Sequence, residues 1–326
     1  MADTKSANAQ PSQAASNRRS LKLDTLIAGG TAGASARTAT APLDRVKILM
    51  QTQHLTSGGA PDKYRGLWQA LVRVAREDGV KSYWRGNLAN CIRVFPYSAT
   101  QFITFDHCKT IVSGFTGRST PTVPERLACG AVAGICASAV THPLDVVRTR
   151  LAVQPELRGI NHTFATLWKE GGVPAFYKGL GPTIASLAPF VAINFASYDT
   201  LKAMAKTHDV LQGPWSSLLL GAGAGIIAQT ACYPLDTIRR RMQIKGKNYS
   251  STLDAMRTIV RTEGVKALYK GMSANTLKVV PNNAIRFMVF EHLKASPFFQ
   301  SLFVSFHVDP NDLPAAAAPK KLPERA

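Results

Sequence analysis

The chain has 326 residues, a net charge of +19 and a mean hydropathy near zero. Its 39 bases are dispersed, without an aromatic-interleaved stripe, zinc-ligand spacing or a recognition-helix module, so the charge does not describe a nucleic-acid binder. Its five cysteines (Cys91, Cys108, Cys129, Cys136, Cys232) make no CxxC pair and its seven histidines are scattered, so no metal site, redox pair or catalytic set stands out and no enzyme is expected.

Residues 1–21 are Ser/Ala/Gln-rich, carry Arg18 and Arg19 and lack the apolar core of a signal peptide, which reads as a disordered tail rather than a transit peptide. A first unit, 22–118, opens with an apolar Gly/Ala-rich helix that holds Gly29 and Gly33 and runs into Pro42-Leu43-Asp44-Arg45-Val46-Lys47. A polar loop over His54–Lys63 and a short amphipathic helix lead to Tyr83-Trp84-Arg85-Gly86, and a second apolar helix ends in Phe105-Asp106 and Lys109. The second unit, 119–210, keeps that order. It has an apolar run from Val123 to Leu151 with Gly130 and Gly134, then Pro143-Leu144-Asp145-Val146-Val147-Arg148, a surface helix near 160–171, Phe176-Tyr177-Lys178-Gly179, and Tyr198-Asp199 with Lys202. The third, 211–296, has Gly221 and Gly225, Pro234-Leu235-Asp236-Thr237-Ile238-Arg239, Leu268-Tyr269-Lys270-Gly271, and Phe290-Glu291 with Lys294. Residues 297–326, with several prolines and Ala315–Ala318, read as a loose tail.

The spacing is what makes this a repeat. The three prolines stand 101 and 91 residues apart, each second glycine precedes its proline by nine, and each closing aromatic follows its glycine by 19. Glycines four apart share a helix face and allow close helix approach in lipid. Proline removes a backbone donor and kinks the helix. The second apolar helix of each unit runs for about 25 residues, enough to span a bilayer. The pattern predicts an all-α membrane protein with six transmembrane helices in three pseudo-threefold repeats and short surface helices between them.

Acids and bases inside a spanning helix are costly unless they pair or face water. Asp44, Asp145 and Asp236 recur with Lys47, Arg148 and Arg239. Each couple is three residues apart and has a local partner within its own helix; three kinked helix ends meeting at an axis favour pairing between neighbours instead. Four further bases, Arg37, Arg93, Arg240 and Lys278, lie off that pattern at mid-membrane depth or just below, where a cation needs an anion; guanidinium forks suit phosphate oxygens.

These residues resemble the mitochondrial carrier family over about residues 22–295. The resemblance implies a central cavity that opens alternately to the two sides of the inner mitochondrial membrane, in a chain expected to be monomeric and to need no cofactor or metal. It implies a matrix-side gate of Asp44–Arg148, Asp145–Arg239 and Asp236–Lys47, braced by Gln51 and Gln243. It also implies a cytosolic gate of Asp106, Lys109, Asp199, Lys202, Glu291 and Lys294, braced by Tyr198. Substrate contact points fall on Arg93, Ser186-Leu187 and Lys278, with Phe190 and Asn194 placed to stack on and hydrogen-bond a base. The loops Trp84-Arg85-Gly86, Tyr177-Lys178-Gly179 and Tyr269-Lys270-Gly271 offer backbone donors at helix starts, an anion site that at a membrane surface suits cardiolipin. Two positions depart from the family pattern: Leu49, where a second base usually follows Lys47, and Ala152, where Gln51 and Gln243 occupy the matching positions.

The stretch Arg93–Phe102 looks like the coenzyme A carrier group, and bases at the first and third contact points resemble carriers of adenine nucleotides. Gly181–Ser186 is closer to thiamine pyrophosphate carriers, because Ser186 replaces the glycine usual in nucleotide carriers. The expected function is antiport of a phosphorylated nucleotide-type cofactor, with a thiamine pyrophosphate carrier as the runner-up and a non-transporting interaction platform as the alternative of another class.

Overall fold

A computed structural model of the protein describes residues 28–56, 63–118, 121–207, 216–244 and 249–296. Both expected tails, 1–21 and 297–326, and residues 57–62 of the expected loop lie outside them. Among the described residues the chain is helical, with no strand. The first repeat comprises α1 (28–39), α2 (Ala41–Thr56), the surface helix α3 (Leu67–Asp78) and α4 (Asn87–Thr116). The second comprises α5 (Val123–Val153), α6 (Ile160–Phe176) and α7 (Leu180–Thr207). The third comprises α8 (Ser216–Gln243), α9 (Thr252–Glu263) and α10 (Met272–Ala295).

Pro143 and Pro234 sit inside continuous helices, whereas in the first repeat the helix breaks at Thr40, just ahead of Pro42. The surface helix expected over 160–171 extends to Phe176 only across a kink, since Gly171 and Gly172 are non-helical and Gly172 has φ +59°.

The repeats close on one another. The second long helix of each repeat packs on the first of the next: α4 on α5, α7 on α8, and α10 on α2. At their proline ends α2, α5 and α8 also touch one another. The buried apolar side chains gather at that end in three clusters, each tucking a surface helix under a kinked helix end. Ala70 and Val74 of α3 lie beneath Val46 and Met50, Leu167 beneath Val146 and Val147, and Ala255 and Ile259 beneath Ile238. Away from that end the helices turn large apolar groups outward, Phe115 at 89% exposure and Met288 at 72% among them. A water-soluble fold does not leave so much apolar surface uncovered, and lipid covers it without cost.

Two helices, Val123–Val153 and Leu180–Lys206, are long and apolar enough to cross a membrane. The other long helices carry more polar and charged side chains, many of which meet at the proline end. The glycine pairs behave unequally. A Cβ on Gly33 would sit 3.4 Å from Val94, on Gly134 3.9 Å from Leu187 and on Gly225 4.0 Å from Asn194. Gly29, Gly130 and Gly221 meet nothing within 4 Å, so the close approach expected of both members is limited to the one nearer the proline.

Candidate functional site

Three ion pairs join the proline ends in a cycle. Arg148 of α5 lies 2.8 Å from Asp44 of α2, Arg239 of α8 2.6 Å from Asp145 of α5, and Lys47 of α2 2.7 Å from Asp236 of α8. Each pair joins different repeats, so the partners are neighbours and not residues three apart on one helix.

The three carboxylates are not equally held. Asp145, fully buried, accepts from Arg239, from Arg240 at 3.1 Å and from Gln243 at 2.7 Å on one oxygen, and from Arg93 at 2.7 Å on the other. Asp44 accepts from Arg148 on one oxygen and from Lys278, at 2.6 Å, on the other. Asp236 accepts from Lys47 and, at 3.2 Å, from Gln51. Three carboxylates thus face six cationic side chains: Lys47, Arg93, Arg148, Arg239, Arg240 and Lys278. The layer carries excess positive charge on side chains that are buried or largely buried.

Gln51 and Gln243 each lie against one ion pair, and Thr149 donates to Gln243 at 2.7 Å. Arg240, grouped by sequence with the substrate bases, is buried inside the layer and bonded to Asp145, Thr149 and Gln243. Arg37 reaches the Asn90 carbonyl at 3.2 Å. Ser186 donates to the carbonyl of Thr183 on its own helix, so α7 sends no cation into the layer. Leu187, Phe190 and Asn194 are half-buried on α7.

Several members of the network escaped the sequence reading. Asn90 Oδ1 accepts from Arg148 at 2.8 Å, and Asn275 Oδ1 accepts from Lys47 at 2.8 Å. Both stand four residues after the loop glycine of their repeat, Gly86 or Gly271, so aligning the repeats from those glycines exposes them; Thr183 holds the place in the second repeat. A further ring also follows the cycle. Arg45 donates to the Ala152 carbonyl at 3.2 Å, Arg150 to that of Gln243 at 3.0 Å, and Arg241 to that of Gln51 at 2.9 Å. Each of these arginines also holds an acid at the end of its own repeat's surface helix, Asp78, Glu170 or Glu263. Arg150 and Arg241 follow their prolines by seven residues. The first repeat has Leu49 there, and Arg45, one helical turn earlier on the same face, takes the task.

The loop glycines complete the cycle. Gly86, Gly179 and Gly271 have φ near +80°, and a Cβ on each would come within 2.7, 2.9 and 3.0 Å of the carbonyls of Arg148, Arg239 and Lys47. Only glycine accepts both that backbone angle and that approach. Trp84, Tyr177 and Tyr269 beside them are exposed. Arg85 turns inward to the carbonyls of Pro155, at 2.7 Å, and Leu157, at 3.1 Å, leaving the helix-start amides as the donors at that surface. Lys178 and Lys270 lend their carbonyls to His142 and Tyr233, both at 3.0 Å.

At the opposite end Asp106, Lys109, Asp199, Lys202, Glu291 and Lys294 are all exposed. Lys202 sits 5.8 Å from the Tyr198 ring and Lys294 5.0 Å from that of Phe290, each on its own helix. The charges are therefore drawn together and buried at the proline end and exposed at the other. Among the described residues no cluster of side chains suits a metal ion.

The family model for mitochondrial carrier proteins matches residues 21–115, 119–209 and 211–299, one match per repeat. A thylakoid ADP,ATP carrier protein of Arabidopsis thaliana is 44% identical over 269 residues, 82% of this chain; the chain spans 64% of that protein's length. A mitochondrial coenzyme A transporter of Danio rerio is 42% identical over 283 residues, covering 82% of this chain and 85% of its own. Human solute carrier family 25 member 16 is 38% identical over 297 residues, covering 83% and 87%.

Proposed function

The chain belongs to the mitochondrial carrier family, and we propose that it is a six-span antiporter of the inner mitochondrial membrane that exchanges coenzyme A or an adenine nucleotide. The observation that carries this reading is the surplus of six cations over three carboxylates in one buried layer. Charges at that depth are sustained by pairing, and a polyanionic ligand completes the balance. The names of the relatives, coenzyme A transporters and ADP,ATP carriers, fit a ligand with several phosphate oxygens and a flat base.

The structure corresponds to one end of an alternating cycle. The proline-end gate is closed by the three pairs and the charges of the other ring are exposed. Arg93 and Lys278 link substrate to gate, because each now occupies a gate carboxylate. A phosphate that captures Arg93 removes a donor from Asp145, and one that captures Lys278 removes a donor from Asp44. Breaking a buried pair costs about 3–5 kcal/mol, so the layer opens only when a ligand offsets that loss. Without ligand the carrier stays shut, and the net result is exchange. On α7 the wall of Ser186, Phe190 and Asn194 is free of gate cations and receives the base. The loops at Gly86, Gly179 and Gly271 present amides to a phosphate of cardiolipin.

Reconstitution into liposomes preloaded with coenzyme A, ADP, ATP, AMP or thiamine pyrophosphate, followed by uptake of each labelled compound, tests the reading. Uptake driven by coenzyme A or adenine nucleotides is expected. Uptake driven only by thiamine pyrophosphate would move the substrate to that cofactor, and no uptake with any compound would favour a non-transporting role.

A further inference from the structure

The three gate pairs are threefold related, but their supports are not. Gln51 lies against the Asp236–Lys47 pair and Gln243 against Asp145–Arg239, each nine residues after its proline. The matching residue for the Asp44–Arg148 pair is Ala152, too short to reach either partner. At that place there is a cavity of about 10 Å³ lined by Asp44, Arg45, Asn87, Arg148 and Ala152 among others. Two of these residues bring buried polar atoms that have no partner in the protein: the donor Arg45 Nη1 and the acceptor Asn87 Oδ1. Arg45 is only 4% exposed. The other two nitrogens of Arg45 donate to Asp78 and the Ala152 carbonyl, and the amide nitrogen of Asn87 donates to Thr38.

We infer that this cavity is a binding site for one structural water, which bridges Arg45 Nη1 and Asn87 Oδ1 and supports the Asp44–Arg148 pair in place of the third glutamine. The volume is that of about one water, and a buried water wants two to four polar partners, which the lining supplies. The chemistry selects water over an anion. Arg45, Arg85 and Arg148 all line the pocket, but Arg148 is bonded to Asp44 and Arg85 to backbone carbonyls. Chloride would satisfy Arg45 and still face the oxygen of Asn87 and the carboxylate of Asp44, whereas water donates to an oxygen and accepts from the guanidinium. The support between the first and second repeats is thus an exchangeable molecule where the other two seams have a tethered side chain.

Thermal unfolding of the purified full chain, with cardiolipin present, reads the site whether or not the chain carries the proposed substrate. Ala152→Gln and Ala152→Leu add nearly the same volume. Gln replaces the water's bonds and is expected to raise the melting temperature by about 2–4 °C. Leu expels the water, strands Arg45 Nη1 and Asn87 Oδ1, and is expected to lower it by a similar amount. A Leu variant as stable as the Gln variant would mean a dry void that any side chain fills, and would overturn the inference. So would a stabilisation of the wild type by chloride over gluconate, at equal ionic strength, that Ala152→Gln abolishes. Should neither variant fold, a density map of the wild type that shows neighbouring ordered waters decides the matter: a water within hydrogen-bonding reach of both atoms is expected, and its absence refutes the site.

Discussion

Arg93 Nη1 lies 2.7 Å from Asp145 Oδ1, so a base assigned to the substrate is already bonded to a carboxylate of the gate. Lys278 repeats the arrangement at Asp44, 2.6 Å away. A charge-assisted bond to a phosphate is worth about 1.5–3 kcal/mol, and about 1.4 kcal/mol is tenfold in affinity. Arg93→Ala and Lys278→Ala are therefore expected to weaken substrate binding roughly 10- to 100-fold. Exchange should nearly vanish, while the protein stays folded and retains its stabilisation by cardiolipin. Isothermal titration and the ligand-induced shift in melting temperature check this; either variant with a full shift and wild-type exchange contradicts the assignment.

The unequal holding of the three carboxylates predicts unequal damage. Asp145→Asn leaves Arg239, Arg240 and Arg93 without their shared anion, Asp44→Asn leaves Arg148 and Lys278, and Asp236→Asn leaves only Lys47. Uncompensated buried charge is the expensive outcome. The melting temperature should fall most for Asp145→Asn and least for Asp236→Asn, and a reversed order would show that the layer is not held as drawn.

Asn90 and Asn275 bond the bases of two gate pairs, whereas Thr183, their counterpart, bonds its own helix at the Gly179 carbonyl. Asn90→Ala and Asn275→Ala are each expected to cost about 0.5–1.5 kcal/mol, a fall of a few degrees in melting temperature. Thr183→Ala should cost less and leave exchange unchanged. Equal losses at all three positions would assign the asparagines to general helix packing.

The paired, buried charges of the proline end and the exposed charges of the opposite end predict the orientation at rest. In a variant whose five native cysteines are serine, Asn194→Cys should react with a membrane-impermeant maleimide applied from the cytosolic side when no ligand is present. Labelling chiefly from the matrix side would reverse the assignment of the resting state.

Much of this was legible because the chain states it three times. The offsets from Pro42, Pro143 and Pro234 locate the three acids and three bases, and the offsets from Gly86 and Gly271 locate residues that meet them, whereas the matching Thr183 and Ser186 after Gly179 bond backbone carbonyls of their own segment. What the sequence hides is reach. Nothing in one helix says that Arg93 and Lys278 span to carboxylates of neighbouring repeats, or that Arg240 is drawn into the layer by Asp145 and Thr149. Arg45 evades alignment because it answers for Leu49 from one turn away, and the geometry, not the register, reveals the substitution. The glycine pairs misled in the other direction. Gly29, Gly130 and Gly221 hold a packing spacing but face open space, while Gly30 and Gly223, outside that spacing, lie against Phe95 and Leu201.

The central claim is that the closed layer opens only when a ligand offsets its broken pairs. The direct measurement is the initial rate of labelled coenzyme A or ADP uptake into liposomes bearing the purified protein, compared between vesicles preloaded with the unlabelled compound and vesicles loaded with buffer alone. The account predicts rapid uptake into the preloaded vesicles and a rate near the protein-free background in the empty ones. Equal rates in both would contradict it, since a carrier that returns empty has a gate that opens without its ligand.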